Sequence, residues 1–516
     1  MLAAVSRSKA SIRKGRVSQV ASVPAPTGGL NAQDGYTSMG PADAVKLDNW
    51  FPEAQYVVTR NGTAVWKSGM GGPVRSLMVW YGTNGTDKMI AATGTSFWDV
   101  SLSGGSASAV VTGLTNADWQ WTNCTTSGGT FLVCCNGADS VHNFDGTTWT
   151  TPVITGVTSS TLINVMMFKQ RLWFVQKNTL SAWYMPTSSI AGAATEFPLG
   201  AVFRHGGYII AMGTFSRDSG DGPDDYLAIA TSNGEVAVYE GIDPTSSSTF
   251  GLNGVFSIGR PIGRRCMGRL NGDLTIITSD GVLSMQSMLQ YGRESDQKAA
   301  ITSKIQTLFS EAANSYSTYF GWQIAIFHKA RYCIVNYPVV ADTQQLQFVM
   351  NTVTGSWCTF SNINAGCWAS ANDKLFFGGN SGVVYQAATG ESDATLADIE
   401  CDMKTGWNNF GISEKKMITA IKPLLVTTAG GYQQCINWDF DDLVPSGTVS
   451  ATPASGGIWG ALVWPWTWSG SNVIDARWHT AGGTGVWAAV RFKIAVNGTA
   501  ARINSFGVLL QQGGAF

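Results

Sequence analysis

Charge is scarce in this chain. Only 13% of its 516 residues are charged, and the formal net charge is −1. A chain so close to neutral has no overall electrostatic attraction to nucleic acid or to a membrane surface. Histidine is scarce as well, with four scattered residues, and the nine cysteines include no CxxC pair. The cysteine number and spacing predict buried free thiols in a reducing compartment, not a metal centre or a disulfide framework.

The sequence also lacks the segments and motifs that mark membrane proteins, secreted proteins and several classes of enzyme. No apolar run approaches the roughly 20 residues that a membrane-spanning helix needs, and the first residues lack the apolar core of a secretory signal. The chain has no Gly-x-Ser-x-Gly elbow, no phosphate-binding Gly-Lys-Ser loop and no HExxH motif. We therefore predict no membrane span, no cofactor, no metal and no enzymatic activity.

One acid-rich stretch contains oxygen ligands of the kind that calcium prefers. It holds Asp218, Asp221, Asp224 and Asp225. The stretch lacks the DxDxDG spacing and the distal glutamate of an EF-hand loop. We interpret these carboxylates as solvated turn residues, with a cation site as the alternative.

Glycine and tryptophan are abundant, with 60 and 20 residues, a composition that favours turns and aromatic-packed sheets. Two segments show the resulting unit most clearly. Residues 226–239 read YLAIA, TSNG, EVAVY, and residues 273–285 read DLTII, TSDG, VLSM. Asn-Gly and Asp-Gly supply the positive φ that a tight hairpin turn requires, so each segment predicts a β-hairpin.

The hairpin recurs along most of the chain. Degenerate copies turn near residues 94, 137, 178 and 382. Most intervals between successive turns are in the forties or fifties, and the one longer interval leaves room for a further repeat across residues 331–360. Short strands with this period are typical of propeller blades. We predict an all-β fold with a β-propeller of six or seven blades over residues 74–390.

Two segments break this rhythm. Residues 295–313 place apolar side chains at helical spacing behind an acidic start, which predicts one short helix on the propeller rim. Residues 391–516 carry alternating strands without the repeat, which predicts a C-terminal domain similar to a β-sandwich. The Gly-Ser-rich loop of this domain places Trp464, Trp466 and Trp468 close together. Clustered tryptophans indicate a subunit contact, which we prefer, or a core role.

The N-terminal region divides at a Pro-Ala-Pro spacer. Residues 1–26 are Ser-rich and basic, with no acid before Asp34. The basic residues include Arg7, Arg13, Lys14 and Arg16. Such a segment is not expected to fold by itself, so it is either a solvated terminus or an arm that becomes ordered on a partner subunit or near DNA phosphates. Residues 27–73 form an extended segment that leads into the propeller.

Residues 28–63 contain the motifs GGLN and ADAVKLDNWFPEAQYVVTRNGT. This arrangement resembles the N-terminal signature of structural tail proteins from short-tailed, double-stranded DNA bacteriophages, in which GGLN, an acidic loop, LDN, FP and RxG precede a propeller. Residues 221–244, with the predicted helix after them, are similar to the middle of those proteins, and residues 486–516 are similar to their closing strands. The resemblance is intermittent but spans the whole chain.

The resemblance implies a tail nozzle or hub subunit, assembled in the host cytoplasm and built into the virion tail. In the family resembled, the protein forms a hexameric ring below the portal and its adaptor proteins. The ring also meets tail fibre, spike or needle proteins, and genomic DNA passes through its lumen during ejection. The alternative is a carbohydrate-binding or carbohydrate-cleaving propeller that uses the Trp-rich loop as a sugar platform. A kelch-like adaptor is disfavoured because its twin-glycine blade signature is missing.

Overall fold

Antiparallel hairpins account for almost the whole structure, a computed structural model that describes residues 18–83, 85–216, 226–291, 300–428, 430–450 and 473–512. The predicted all-β class is confirmed. The strands form a β-propeller and a β-sandwich, and the sandwich takes strands from both ends of the described chain. The strands that precede the first blade are β1 (Ser18–Pro24), β2 (Gly29–Leu30), β3 (Asp43–Asp48), β4 (Trp50–Pro52), β5 (Val57–Thr59) and β6 (Thr63–Lys67).

The first three blades are four-stranded antiparallel sheets whose strands follow one another along the chain. Blade 1 contains β7 (Val74–Trp80), β8 (Lys88–Thr93), β9 (Ser96–Asp99) and β10 (Ser108–Thr112). Blade 2 contains β11 (Gln120–Thr126), β12 (Gly129–Cys135), β13 (His142–Phe144) and β14 (Trp149–Thr150). A parallel pair follows, β15 (Ile154–Thr155) with β19 (Gly192–Ala193), and it encloses most of blade 3. Blade 3 contains β16 (Leu162–Phe168), β17 (Arg171–Gln176), β18 (Ser181–Tyr184) and β20 (Thr195–Pro198).

Blades 4 and 5 contain the two hairpins that the sequence shows most clearly, and both hairpins are confirmed. Blade 4 contains β21 (Ile209–Phe215), β22 (Tyr226–Thr231), β23 (Glu235–Gly241) and β24 (Phe250–Ser257). Gly234 adopts the positive φ, +87°, that its turn requires. Among the described residues, blade 5 contains three strands, β25 (Met267–Leu270), β26 (Asp273–Thr278) and β27 (Gly281–Ser284). Two helices follow, α1 (Met285–Tyr291) and α2 (Gln306–Tyr316), with a 3₁₀ turn at Ser303–Ile305 before α2.

Blades 6 and 7 complete the propeller. Blade 6 contains β28 (Gln323–Phe327), β29 (Tyr332–Val340), β30 (Gln344–Asn351) and β31 (Trp357–Phe360). Blade 7 contains β32 (Ala365–Ala371), β33 (Lys374–Gly379) and β34 (Val384–Ala387), with β6 as its outer strand. Because β6 comes from before blade 1, its pairing with β34 joins the two ends of the propeller.

The innermost strands form a closed ring. Each of them contacts the next in the order β7, β11, β16, β21, β25, β28 and β32, and β32 contacts β7 again. Among the described residues, six blades are sheets of their own, and the seventh unit, blade 6, is part of a larger sheet. The propeller predicted with six or seven blades is therefore confirmed.

The sandwich consists of two sheets that pack face to face. Its later strands are β35 (Ile399–Thr405), β36 (Lys416–Thr427), β37 (Gly431–Trp438), β38 (Thr448–Ser450), β39 (Val473–Asp475), β40 (His479–Thr480), β41 (Thr484–Gly485), β42 (Ala488–Val496) and β43 (Ala501–Gln512). One sheet is centred on the β36–β43 pair, and β42 lies in the other sheet. Phe506 of β43 lies 5.9 Å from Phe492 of β42, and Phe492 lies 4.9 Å from Tyr432, ring centroid to ring centroid. These buried rings form the sandwich core.

One sheet runs from the propeller into the sandwich. Its strand order is β28, β29, β30, β31, β3, β35, β42, β37 and β38, and β2 also pairs with β3. The connection is made by β3, which is parallel to β31 through Asp48 and Thr359 and antiparallel to β35. The Asn49 N–H also donates to the Thr359 carbonyl at 2.8 Å, so backbone hydrogen bonds cross the boundary between the two parts.

The predicted helix at residues 295–313 is present but shifted along the chain. It begins at Gln306 and ends at Tyr316, and residues 295–299 lie outside the described part of the structure. Ala300 instead bridges to Leu283 of β27, and the Thr302 hydroxyl accepts a hydrogen bond from the backbone N–H of Val282. Pairing with blade 5 therefore takes Ala300 out of the predicted helix.

The predicted basic segment at residues 1–26 also differs in part. Residues 18–24 form β1, which pairs with β43 from Ser18 opposite Gln511 to Pro24 opposite Ser505. Residues 1–17 lie outside the described residues. The extended segment predicted at residues 27–73 supplies β2 to β5 to the sandwich region and β6 to blade 7.

Candidate interaction surface

The residues predicted from the sequence as partner contacts lie outside the described part of the chain. They are Arg7, Arg13, Lys14 and Arg16 in the N-terminal segment and Trp464, Trp466 and Trp468 in the Trp-rich loop. The acid-rich stretch from Asp218 to Asp225 lies outside it as well. Their roles stay predictions, and a candidate surface has to be built from other residues.

An aromatic cluster on the sandwich is the strongest candidate among the described residues. The Phe440 ring lies at its centre, 5.7 Å from Tyr36, 5.1 Å from Trp407 and 6.1 Å from Trp487, centroid to centroid. Tyr36 is 50% exposed and Phe440 is 42% exposed. We name these four residues the aromatic corner. Exposed rings that already pack against one another lose little freedom on binding, which favours a contact role.

The backbone under Phe440 is held in an uncommon conformation. Asp439 and Phe440 both have positive φ, 44° and 72°, and for a bulky side chain this region is strained. The Asp439 carboxylate accepts hydrogen bonds from the backbone N–H groups of Val486, at 2.8 Å, and Trp487, at 2.9 Å. The Asp439 N–H donates to the Trp487 carbonyl. These bonds fix the turn that presents the Phe440 ring at the surface.

The chain after Phe440 continues the exposed apolar surface. Leu443 and Val444 are 55% and 50% exposed. Between them and Phe440, the Asp442 carboxylate accepts hydrogen bonds from Lys404, at 3.1 Å, and from Arg491, at 3.0 Å. The Lys404 hydrogen bond is the main cause that lowers the pKa of Asp442, so the carboxylate remains charged at neutral pH. The apolar residues are therefore anchored to the sandwich and not to a loose loop.

The junction of propeller and sandwich contains a buried ion pair. The Arg60 side chain is fully buried, and its Nη1 and Nη2 donate to the two carboxylate oxygens of Asp393 at 2.8 and 2.6 Å. Its Nε donates to Asn49 Oδ1 at 2.8 Å, and Nη2 also donates to the Ser361 carbonyl. Arg60 precedes β6, and Asp393 lies between β34 and β35, so this junction clamp ties the start of the propeller to the segment that leaves it.

Each of two cavities near this junction contains an acid that is bonded to an arginine. A cavity of about 420 Å³ between β4, β5 and blades 6 and 7 contains Glu53, which is bonded to Arg331. A second cavity, of about 610 Å³, contains Asp393 of the junction clamp. A carboxylate bonded to a guanidinium is engaged as an anion, which suits a structural role better than proton transfer.

The cysteine thiols are in environments that make them unreactive. Eight of the nine are buried, Cys435 is partly exposed, and all nine are free. Burial raises the pKa of every one of these thiols, for example that of Cys333 to about 12 and that of Cys435 to about 11. A protonated thiol is a poor nucleophile and a poor metal ligand. Within the described ranges, no group of three or more His, Cys, Asp or Glu side chains is placed to hold a metal ion.

Sequence reasoning missed the aromatic corner. Its members come from four separate segments, around residues 36, 407, 440 and 487, and only the sandwich topology brings them together. The local signal was weak, since the stretch around Phe440 reads as an acidic turn, WDFDDL. The helices offer no further surface of note, and none in the described chain has the length and apolar character that crossing a bilayer requires.

The fold and this surface define a β-propeller fused to a β-sandwich. No protein-family profile matches the chain, and no curated protein matches it. The chain is similar to three solved structures described as "YCF48 bound to D1 peptide", the computationally designed Ika8 protein and Saccharomyces cerevisiae Sqt1. Identities are 8%, 11% and 11%, and TM-scores are 0.39, 0.37 and 0.38. The matches cover 68%, 63% and 64% of this chain and 99% of each of the others. Likenesses this distant carry no argument about function.

Proposed function

We propose that this protein is a structural subunit of a virus particle, the tail nozzle or hub of a short-tailed, double-stranded DNA bacteriophage. Copies of the chain form a closed hexameric ring below the portal and its adaptor proteins. Tail fibre, spike or needle proteins attach to the ring, and the genome passes through its lumen during ejection. The source of the proposal is the sequence resemblance of residues 28–63, 221–244 and 486–516 to tail proteins of that kind.

The observation that supports it best is the mechanical continuity of the chain. The sheet that starts in blade 6 continues through β3 into the sandwich, and the junction clamp closes the same boundary with a buried bidentate ion pair. The strand pairing and the ion pair tie the two modules together at this boundary, which favours a fixed relative orientation. A subunit that has to keep its orientation in a ring while DNA passes under load needs this property, whereas a hinged enzyme does not.

The aromatic corner is the contact that we assign to a second copy of the chain. Rings form when one surface of a subunit binds a different surface of the next and the rotation closes. Aromatic side chains that are exposed and preorganised are the usual centres of such contacts. Phe440 and Tyr36 therefore become buried on assembly.

The proposed mechanism is passive. Each lysine or arginine contact to a DNA phosphate adds salt-dependent affinity, so a wall along which DNA slides has to be neutral or acidic. The composition, with 33 basic and 34 acidic residues among 516, suits such a wall. No bond is made or broken by the protein in this role.

The test is the mass and shape of the purified protein. The chain has a mass of 54.9 kDa, and we expect light scattering after size exclusion to give a ring mass, alone or with the portal and adaptor proteins, with a closed ring in electron micrographs. The double variant Tyr36→Ser, Phe440→Ser is expected to lose the ring and keep the monomer fold. Leu102→Ser is the matched control, because Leu102 is 77% exposed on blade 1, away from the sandwich.

The N-terminal segment gives a second test. Deletion of residues 1–17 is expected to reduce ring formation if these residues contact a neighbouring subunit. The deletion has to stop there, since residues 18–24 form β1 and their loss would disturb the sandwich. A chain that stays monomeric with and without the portal and adaptor proteins would contradict the proposal, and so would specific binding on a glycan array.

A further inference from the structure

A small cavity lies on the propeller axis. It measures about 230 Å³ and lies at the innermost strands, all seven of which contribute lining residues. Leu77, Met212 and Ile324 give it some apolar wall, but most of its lining surface is polar. Two basic residues, Arg264 and Arg265, line it as well, just before β25.

The hydrogen bonds of the two arginines go to neutral acceptors. The Arg265 guanidinium donates through Nη2 to the Ser76 hydroxyl at 2.6 Å and to the Trp119 carbonyl at 3.1 Å, and Arg264 donates through Nη1 to the Asn136 carbonyl at 3.1 Å. Within the described ranges, neither guanidinium has a carboxylate within ion-pair distance. Each guanidinium has five N–H donors, so several on each arginine are uncommitted.

A neighbouring arginine shows the contrast. Arg75 is bonded to two acids, Asp118 at 2.6 Å and Asp342 at 2.8 Å. Arg75 and Arg265 both lie over the same ring, with their Cζ atoms 4.1 and 5.1 Å from the centroid of Phe320. Burial lowers the pKa of Arg265, Cys367 and the Asp118 carboxylate oppose that shift, and the charges of Arg75 and Arg264 add to it. Three guanidinium groups therefore lie near one another, and within the described residues only Arg75 among them forms ion pairs.

An unused donor lies on the same cavity. Gln120 of β11 is 8% exposed, and its side-chain Nε2 is buried without a hydrogen-bond partner in the described structure. Gln120 lines the cavity together with Arg264 and Arg265. A buried amide donor is normally satisfied, so a donor without a partner beside uncommitted guanidinium groups indicates a missing acceptor.

We propose that the axial cavity binds a small anion, a phosphate or a short carboxylate, between the guanidinium groups of Arg264 and Arg265 and the amide of Gln120. Planar guanidinium forks match the oxygen pairs of both anions. A cavity of about 230 Å³ accommodates either anion, and its few apolar residues, such as Met212 and Ile324, suit the short carbon chain of a dicarboxylate. The site lies within one subunit, so it does not depend on ring assembly.

The experiment uses the full chain and two probes, inorganic phosphate and succinate, each compared with sodium chloride at equal ionic strength. We expect at least one probe to raise the melting temperature in a concentration-dependent way and to give a saturable calorimetric isotherm. Arg264→Gln is expected to weaken that binding at least tenfold. Arg260→Gln is the control, because Arg260 is an exposed arginine four residues earlier that does not line the cavity, and its binding should match the unchanged protein.

The outcomes separate the possibilities. A response to phosphate alone assigns the site to phosphate groups, and a response to succinate alone assigns it to carboxylates. Stabilisation no greater than that by chloride, or an equal loss in Arg260→Gln, overturns the proposal. If Arg264→Gln does not fold, Arg264→Lys keeps the charge but not the planar fork, and it is expected to bind the anion more weakly than the unchanged protein; equal binding would overturn the proposal. An experimental density map from protein in phosphate and in succinate that shows no anion between Arg264 and Arg265 also overturns it.

Discussion

The junction clamp makes a quantitative prediction. Asp393→Ala removes the partner of Arg60, whose side chain has no exposed surface and cannot turn to water. Removing one member of a buried ion pair costs about 3–5 kcal/mol, because the remaining charge stays desolvated and unpaired. The bonds of Arg60 to Asn49 and Ser361 remain, and they offset a small part of that cost. We therefore expect the free energy of unfolding to fall by about 3 kcal/mol or more.

Two further variants test whether the loss of stability comes from the unpaired charge of Arg60. The double variant Arg60→Met, Asp393→Leu leaves no buried charge and is expected to recover most of the loss, since apolar replacement of a buried pair is often neutral. Asp243→Ala is the control, because it removes an exposed pair: Asp243 is 43% exposed and lies 3.3 Å from Arg171. Exposed pairs contribute at most about 1 kcal/mol.

Urea unfolding followed by tryptophan fluorescence and by circular dichroism measures these differences. The reasoning would be refuted if Asp393→Ala cost no more than Asp243→Ala. It would also be refuted if the double variant were as unstable as the single one, since the loss could not then come from a stranded charge.

Two other predictions concern titrating groups. At about pH 8, we expect Ellman's reagent to modify no thiol other than Cys435 in the native protein, and all nine thiols after denaturation. The reason is that burial raises the pKa of each thiol. Fast modification of two or more native thiols would contradict this. Burial alone would raise the pKa of Asp402, but hydrogen bonds from Arg491 and Lys46 outweigh it and hold that pKa below its ordinary value of 3.8. The stabilisation by ionised Asp402 is therefore complete above about pH 4 and is lost as the pH falls through the lower folded-state pKa. Asp402→Asn should flatten the loss of stability on acidification. An unchanged profile of urea midpoint against pH would contradict this.

The sequence predicted what short-range chemistry controls. Asn233-Gly234 and Asp280-Gly281 form their turns as predicted, because the demand for positive φ is local. Repetition of such hairpins predicted the propeller, and alternation without the repeat predicted the sandwich. The predictions of the propeller and of the sandwich both depend on local sequence patterns, which do not require knowledge of tertiary contacts.

Long-range pairing accounts for most of what was missed. The start of α2 was placed too early because Ala300 pairs with β27, and no helical signal within residues 295–313 records that pairing. Residues 18–24 read as part of an unfolded arm because their partner, β43, lies near the other end of the chain. The aromatic corner and the Arg264–Arg265 cavity are likewise products of topology, and neither has a motif.

The closure of blade 7 by β6 also governs when the protein can finish folding. Thr63 of β6 pairs with Ala387, and Ser18 of β1 pairs with Gln511. The ribosome therefore synthesises β1 and β6 well before the strands with which they pair. Hairpins of blades 1 to 5 can form during synthesis, whereas contacts this distant in sequence form slowly. Until the last strands emerge, the nascent chain presents open strand edges, which are prone to aggregation. Translation as far as Gln511 is therefore required before β1 has its whole partner strand.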